Sequence, residues 1–398
     1  YFLKRLMQFT GPLTAKGVED TTFYIYNPLI SHDEVGDSPA PLGMTIHDFH
    51  EKMLARQAAT PLSLNATATH DTKRGEDARV RINVLSRIPT VWQEHVQEWL
   101  DMNKVFRTTI DGRTVPQMND EYFIYQSMLG GFPEDFKVTD EWIKRVHAYL
   151  NKALREAKVN TNWSEPDETY EKACEKFVEN ILGENHGFLS SFTPFVKTVT
   201  EHAMVYTLTQ TLIKLTAPGI PDIYQGCELW DLSFVDPDNR RPVDYEKRME
   251  FLFQLVIKEE KGKDAVFEYL REHRDEGIEK LYVIWKTLNF RKKQPDLFTD
   301  GDYIPIEISG GGLSAACYAR NKGEEWALVL FPFGLITHET VAENDSPNPQ
   351  FAVLPEHAPQ KWIDVFTRRV FDTPNQIGLQ DVFNDFPVAL LVSADTKH

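Results

Sequence analysis

Cysteine is scarce in this sequence. Its three cysteines, Cys174, Cys227 and Cys317, stand far apart and form no C-x-x-C pair. That argues against a disulfide framework or a zinc ribbon and for a reducing compartment, the cytoplasm. Basic residues are also short. Lys and Arg number 43 against 60 Asp and Glu, a net charge of −17. A nucleic-acid surface needs a basic face, so no nucleic-acid partner is expected, and a neutral substrate fits. Long apolar runs are missing. The longest, the ten residues from Ala327 to Ile336, is broken by Pro332 and Gly334. That is too short for a membrane helix, and no membrane partner is expected. No G-x-S-x-G elbow, phosphate-binding loop, internal repeat or low-complexity tract is present. The chain opens Tyr1-Phe2-Leu3-Lys4, without Met and without a basic-then-apolar leader. It reads as a piece of a longer polypeptide.

What is there is globular. Of 398 residues, 41% are hydrophobic and 26% charged, enough for two or three domains. Residues 10–30 mix Gly, Thr and aromatics without helical period. Residues 45–57 read as a helix that Thr45 caps, with Asp48 completing a T-x-x-D start. Ser63 to Thr69, small and rich in Thr, reads as a buried strand ending at His70-Asp71. From about 73 to 202 helical periods dominate. Trp142, Val146, Leu150 and Leu154 share one helix face, and Tyr170, Cys174, Phe177 and Ile181 share another. Ser164, with Pro166 behind it, marks the start of the second helix. A further apolar helix covers 201–216. Asp222-Ile223-Tyr224-Gln225-Gly226 then reads as a strand, the α-to-β step of a parallel sheet. After residue 300, Leu313–Arg320, Trp326–Phe331 and Val388–Val392 are strand-like runs between Gly, Pro and Asn, which predicts an antiparallel β domain.

Three stretches could carry chemistry. Ala66 to Asp77 places His70-Asp71 at the end of a strand, where catalytic groups of parallel barrels sit. The plain alternative is a loop Asp capping the next helix. Tyr224 to Trp230 and Asp236 to Asp244 hold Arg240 and Arg241 between acids and prolines, either as a fixed surface or as a charged turn. In Gly11 to Tyr24, Lys16 stands near acids and aromatics and could line a sugar pocket, or simply lead out of a strand. His47 and His50 read as surface residues of a helix rather than metal ligands. Gly310-Gly311-Gly312 reads as a hairpin turn.

Together these stretches resemble one family, the maltooligosyl trehalose synthases of the α-amylase superfamily (glycoside hydrolase family 13). Its blocks stand in order: Gly11-Pro12 with Ala15 to Thr21, Asp33-Glu34-Val35-Gly36, Thr69-His70-Asp71-Thr72-Lys73-Arg74, Pro221 to Gly226, and Asp236 to Arg241. The resemblance implies an α/β chain: the C-terminal part of a (β/α)8 barrel with a large helical insertion, followed by a C-terminal antiparallel β domain. The implied division is partial barrel 1–72, helical insertion 73–202, last barrel strand and helices 203–295, and β-sandwich 296–398.

The implied reaction is that of an isomerase, a (1→4)-α-D-glucan 1-α-D-glucosylmutase. It exchanges the reducing-end α-1,4 bond of a maltooligosaccharide for an α,α-1,1 bond, within retaining carboxylate chemistry. His70-Asp71 matches the superfamily's fourth conserved region. The resemblance makes Asp71 a transition-state stabiliser that His70 assists, and Lys16 a contact to the departing glucose. It counts Lys73, Arg74, Tyr224, Trp230, Arg240 and Arg241 as substrate-binding. It implies no cofactor and no metal. The superfamily's nucleophile and general acid lie upstream of these blocks, and neither motif is in this chain. The chain alone is therefore expected to be inactive, with a missing N-terminal barrel half as its partner and an α-glucan as its substrate. A trehalose-releasing hydrolase of the same pathway is a further implied partner. Two other readings stay open: an α-glucan hydrolase of the same superfamily, and a non-catalytic glucan-binding or interaction module.

Overall fold

The structure is a computed structural model of the chain. It describes residues 1–37, 43–183, 186–311, 314–334, 349–373 and 375–394. Two compact units emerge. The first comprises Tyr1–Leu42, His70–Thr200 and Asp231–Arg241; the second comprises Gly43–Thr69, Glu201–Trp230 and Pro242–His398. These cuts differ from the sequence boundaries at 72, 202 and 295.

The first unit is helical. It opens with a helix over Phe2–Thr14 that runs into a wider π-turn over Ala15–Glu19. This corrects the reading of residues 10–30 as lacking helix and of Lys16 as leaving a strand. Phe2, Leu6, Phe9 and Leu13 recur at four, three and four residues, a helical period that Gly11-Pro12 masked. Residues of this helix are not buried.

Helices over Glu76–Val84, Pro89–Asn103, Met118–Gly130, Asp140–Ala157 and Glu168–Ile181 come next. Thr139 caps the fourth of these by accepting the Trp142 amide at 3.2 Å. The predicted stripe of Trp142, Val146, Leu150 and Leu154 is buried. The last one starts later than predicted. Asp167, not Ser164, is its cap and accepts the Thr169 and Tyr170 amides at 3.1 and 3.0 Å. Asn162 instead takes the amides of Ser164 and Glu165 into a turn before it. Aromatic rings fill this unit's core: Trp99 contacts Tyr125, Phe188, Phe192 and Phe195 edge-on.

In the second unit a helix over Ile46–Ala59 begins in a full capping box. The Thr45 hydroxyl accepts the Asp48 amide, and the Asp48 carboxylate accepts the Thr45 amide. His50 on this helix is buried and bonds Tyr303 at 2.7 Å, so it is a satisfied core histidine rather than a surface residue.

A strand over Leu64–Ala66 pairs in parallel with Ile220–Asp222, in the register Leu64 with Ile220 and Ala66 with Asp222. Its burial alternates, with only Asn65 buried, so the expectation of a buried strand is corrected. The second strand ends at Asp222, the first residue of the run predicted for it. Residues 224–227 turn instead: the Cys227 amide reaches the Tyr224 carbonyl at 2.9 Å, and Gly226 takes a left-handed φ of 91°.

The predicted antiparallel β region is a six-stranded sheet. Its order is Val370–Asp372, Lys361–Asp364, Ala389–Ser393, Glu325–Pro332, Ala315–Lys322, Asp302–Ile306. One face packs on helical residues such as Leu255, Leu281, Tyr282 and Phe290. The other meets residues such as Ala352, Leu354, Ile377 and Leu379, where a small sheet of Gln376–Gly378, Phe351–Val353 and Ile308–Ser309 lies. Burial on both faces explains why the central strands read as unbroken apolar runs rather than alternating ones. Gly310, at φ 90°, follows Ile308–Ser309 of the small sheet, and the next strand, Ala315–Lys322, belongs to the large one, so these two strands are not a hairpin pair. Gly312, Leu313 and Ile336 lie outside the described residues. The three cysteines are buried and none is in a disulfide. Among the described residues no helix is long and apolar enough to cross a membrane.

Candidate functional site

His70 and Asp71 occupy an exposed turn in the first unit, just before the buried run Thr72 to Ala78. Two acids that sequence reasoning did not single out hold the start of that run. Glu34, itself buried, accepts the Lys73 amide at 2.6 Å and the Arg74 amide at 3.3 Å. It also pairs with Arg79 at 3.3 Å. Asp20 takes the other side. The Lys73 ammonium reaches it at 2.8 Å, and Lys16 bonds its second oxygen.

The electrostatics come from this pairing. Burial raises the Asp20 carboxyl, but the hydrogen bonds and charges of Lys16 and Lys73 outweigh it and leave the group below its ordinary value. Lys16 is held protonated above its usual range, first by its hydrogen bond to Asp20 and that carboxylate's charge. Asp71 adds to the same effect, which puts Asp71 within electrostatic reach of the Lys16 head group.

Lys73 and Arg74, predicted to touch substrate, are enclosed. The Lys73 side chain is only 3% exposed, and its ammonium lies over the Tyr24 ring. Arg74 donates to the Ile30 and Asp33 carbonyls, the latter at 2.9 Å, and its other arm reaches the Tyr149 hydroxyl at 3.5 Å. A guanidinium with its donors taken up inside the protein is a brace. In this arrangement both residues hold the loop; they do not face solvent.

Arg240 and Arg241 belong to the same unit. They sit at the end of a short 3-10 turn over Asp238–Arg240. Arg241 pairs with Asp238 at 3.1 Å and Arg240 with Asp236 at 3.7 Å. Each acid also has an inner cation. Arg145 grips Asp238 with two bonds of 2.7 and 2.9 Å, and Lys152 bonds Asp236 at 2.5 Å. Bidentate pairing of this kind fixes geometry, which favours the fixed surface over the loose charged turn. The neighbouring Asn239 donates to the His70 carbonyl at 3.2 Å, so this segment touches the His70-Asp71 turn.

The first unit thus gathers Lys16, His70, Asp71, Lys73, Arg74, Arg240 and Arg241 from three linked segments. Tyr224 and Trp230 lie in the second unit. Tyr224 is half-buried in the turn after the parallel strand. Trp230 donates to the Asp275 carbonyl at 2.9 Å. Among the described residues no cluster of three or more His, Cys, Asp or Glu could hold a metal ion.

Comparison with known proteins places the whole chain. No family model matches. The chain is 32% identical over 388 residues to a Mycobacterium tuberculosis protein that carries the name maltooligosyl trehalose synthase, covering 98% of this chain and 45% of that protein. The chain is homologous to maltooligosyl trehalose synthases. A solved maltooligosyltrehalose synthase from Arthrobacter ramosus superposes with a TM-score of 0.77 at 30% identity, over 98% of this chain and 46% of its own. A second solved maltooligosyl trehalose synthase gives a TM-score of 0.77 at 30% identity, over 97% and 47%. The chain therefore spans just under half the length of the maltooligosyl trehalose synthases it matches.

Proposed function

We propose that this chain is the C-terminal portion of an enzyme that turns the reducing end of a maltooligosaccharide into a trehalose terminus, in the cytoplasm. The observation that carries the reading is the ordered set of blocks, Lys16 to Thr21, Asp33 to Gly36, Thr69 to Arg74 and Asp236 to Arg241. Together with Pro221 to Gly226, which lies in the second unit, they stand in order in a chain homologous to that family along nearly its whole length. In the proposed roles, Asp71 faces the sugar whose anomeric carbon becomes cationic, and its negative charge stabilises that state more than the ground state. His70 supports it. Lys16 donates to the hydroxyls of the released glucose while that sugar turns and attacks through its own anomeric oxygen. Water must be kept out during that interval, or the bond is hydrolysed.

The nucleophilic and acid carboxylates of a retaining mechanism are assigned to the remainder of the enzyme. The chain alone is then inactive and depends on a barrel half supplied with it. The apolar side chains of the first helix suit that dependence: Phe2 is 78% exposed and Phe9 64%. A hydrolase that frees trehalose from the product is the proposed partner in the pathway.

Incubation with maltopentaose tests this reading. The full-length enzyme should yield a non-reducing product, and this chain alone should yield none. Trehalose termini made by the isolated chain at an enzyme-like rate would overturn the division of labour. Free glucose as the main product of the full-length enzyme would favour the hydrolase.

A further inference from the structure

Glu34 has an arrangement that the proposed chemistry does not use. Its side chain is buried, yet both carboxylate oxygens are fully engaged. One oxygen accepts the amides of Lys73 at 2.6 Å and Val35 at 2.9 Å. The other accepts the Arg74 amide at 3.3 Å and faces the Arg79 guanidinium at 3.3 Å. A carboxylate offers about four acceptor positions, so this one is filled. Two of its four partners are consecutive main-chain amides lying two and three residues past Asp71.

We propose that Glu34 is a positioning residue that fixes the turn carrying His70 and Asp71, which rests on the reading of Asp71 as the charge-stabilising carboxylate. The physical link is short. Amides 73 and 74 are pinned from one side by Glu34. The Lys73 side chain is pinned from the other by Asp20, which also holds Lys16. The chain between Asp71 and Lys73 is a single residue, so play at the Lys73 amide passes directly to Asp71. Charge matters as well as shape. Glu34→Gln keeps the length of the side chain but turns an NH2 toward N–H donors, so at least one amide loses its acceptor. Charge-assisted bonds of this type contribute enough that losing one costs about a factor of ten to a hundred. Asp71, held loosely, still meets the sugar in the ground state but fits the transition state less well.

The test uses two variants and two readouts. In this chain, hydrogen exchange is measured at the Lys73 and Arg74 amides. In the full-length enzyme, kcat and KM are measured for Glu34→Gln and Glu34→Asp beside Asp71→Asn. Exchange at the two amides should speed up by roughly tenfold or more while the helix over Met118–Gly130 keeps its protection. The kcat should fall roughly ten- to a hundredfold with KM held within about threefold. Glu34→Asp, which keeps the charge, carries the same measurements where Glu34→Gln does not fold. Unchanged exchange at the two amides would overturn the proposal. So would normal turnover in Glu34→Gln alongside an inactive Asp71→Asn. An Asp71→Asn enzyme with full activity would instead overturn the reading of the site, and the exchange data would still decide whether Glu34 holds the turn.

Discussion

Replacing Asp33 by asparagine should make the stability of this protein less dependent on pH. Asp33 is 1% exposed, and its Oδ2 has no hydrogen-bond partner among the described residues. Burial pushes its carboxyl from 3.8 up to about 7, against an opposing pull from the Arg74 guanidinium. The folded state therefore keeps a proton that the unfolded chain has already lost between about pH 4 and pH 7. Stability must fall as pH rises through that window. The penalty is absent below the unfolded value and complete above the folded one. Each pH unit separating the two values corresponds to about 1.4 kcal/mol, so the full penalty is roughly 4 kcal/mol. Part of it is already present at pH 5, which leaves roughly 2–3 kcal/mol to appear between about pH 5 and pH 8. Asp33→Asn cannot titrate. Thermal and urea unfolding of both proteins should then show a gap that shifts toward the variant by this amount as pH rises, about 2–4 °C in Tm for a chain of 398 residues. The comparison cancels the titrating groups that do not interact with Asp33. A gap that is constant with pH, whatever its sign, would refute the reasoning.

Three further outcomes are expected. In the full-length enzyme Asp71→Asn should lose most of kcat, roughly a hundredfold or more, with a small change in KM, and His70→Ala should lose less; near-normal turnover in Asp71→Asn would remove the pair from the site. Lys16→Ala should raise the share of free glucose among the products, since the role proposed for the lysine follows bond cleavage, and an unchanged ratio of glucose to trehalose-capped product would exclude it. Gly277→Ala should lower Tm by about 1–4 °C, because Gly277 sits at φ 83° and an added Cβ would lie 2.8 Å from the Trp230 main-chain nitrogen; left-handed strain plus that overlap costs about 1–3 kcal/mol, and an unchanged Tm would contradict it.

Legibility in the sequence tracked the strength of local pattern. The amphipathic helices over Asp140–Ala157 and Glu168–Ile181 were readable because their apolar residues recur at helical spacing and their stripes are buried. The central β-strands were readable because Trp326 to Phe331 forms an apolar run flanked by turn residues. The first helix was missed because Gly11 and Pro12 are breakers by propensity, and its apolar residues have no buried face to signal. The strand at Ile220–Asp222 was placed too late, since only the pairing with Leu64–Ala66 fixes where it stops. At the site, the types of residue were legible and their roles were not. Arg74 looked like a substrate contact from its place beside His70-Asp71. It is a buried brace, because the carbonyls that take its protons lie some forty residues earlier in the chain. No local signal announces that. Asp20 and Glu34 stood inside the quoted blocks, but an acid in a loop is usually solvated, and only the fold shows both of them closing on one turn.

The helical part of the first unit contributes a device that the sequence does not reveal. Arg145 and Lys152 are seven residues apart on the helix over Asp140–Ala157, two turns along one face. That spacing lets one helix hold Asp238 and Asp236 at once. Each acid then shares its charge between an inner cation and an outer arginine: Asp238 between Arg145 and Arg241, Asp236 between Lys152 and Arg240. The inner cation fixes the acid, and the acid aims the arginine. The same logic operates at the other segment, where Asp20 lies between the enclosed Lys73 and the exposed Lys16. In all three cases a carboxylate couples a more enclosed cation that anchors to a more exposed cation that can meet a ligand. Long cationic side chains lose much conformational freedom when a ligand orders them. Holding them in advance reduces that loss, which is what a site must do if it is to keep a small, neutral sugar in place while it turns over.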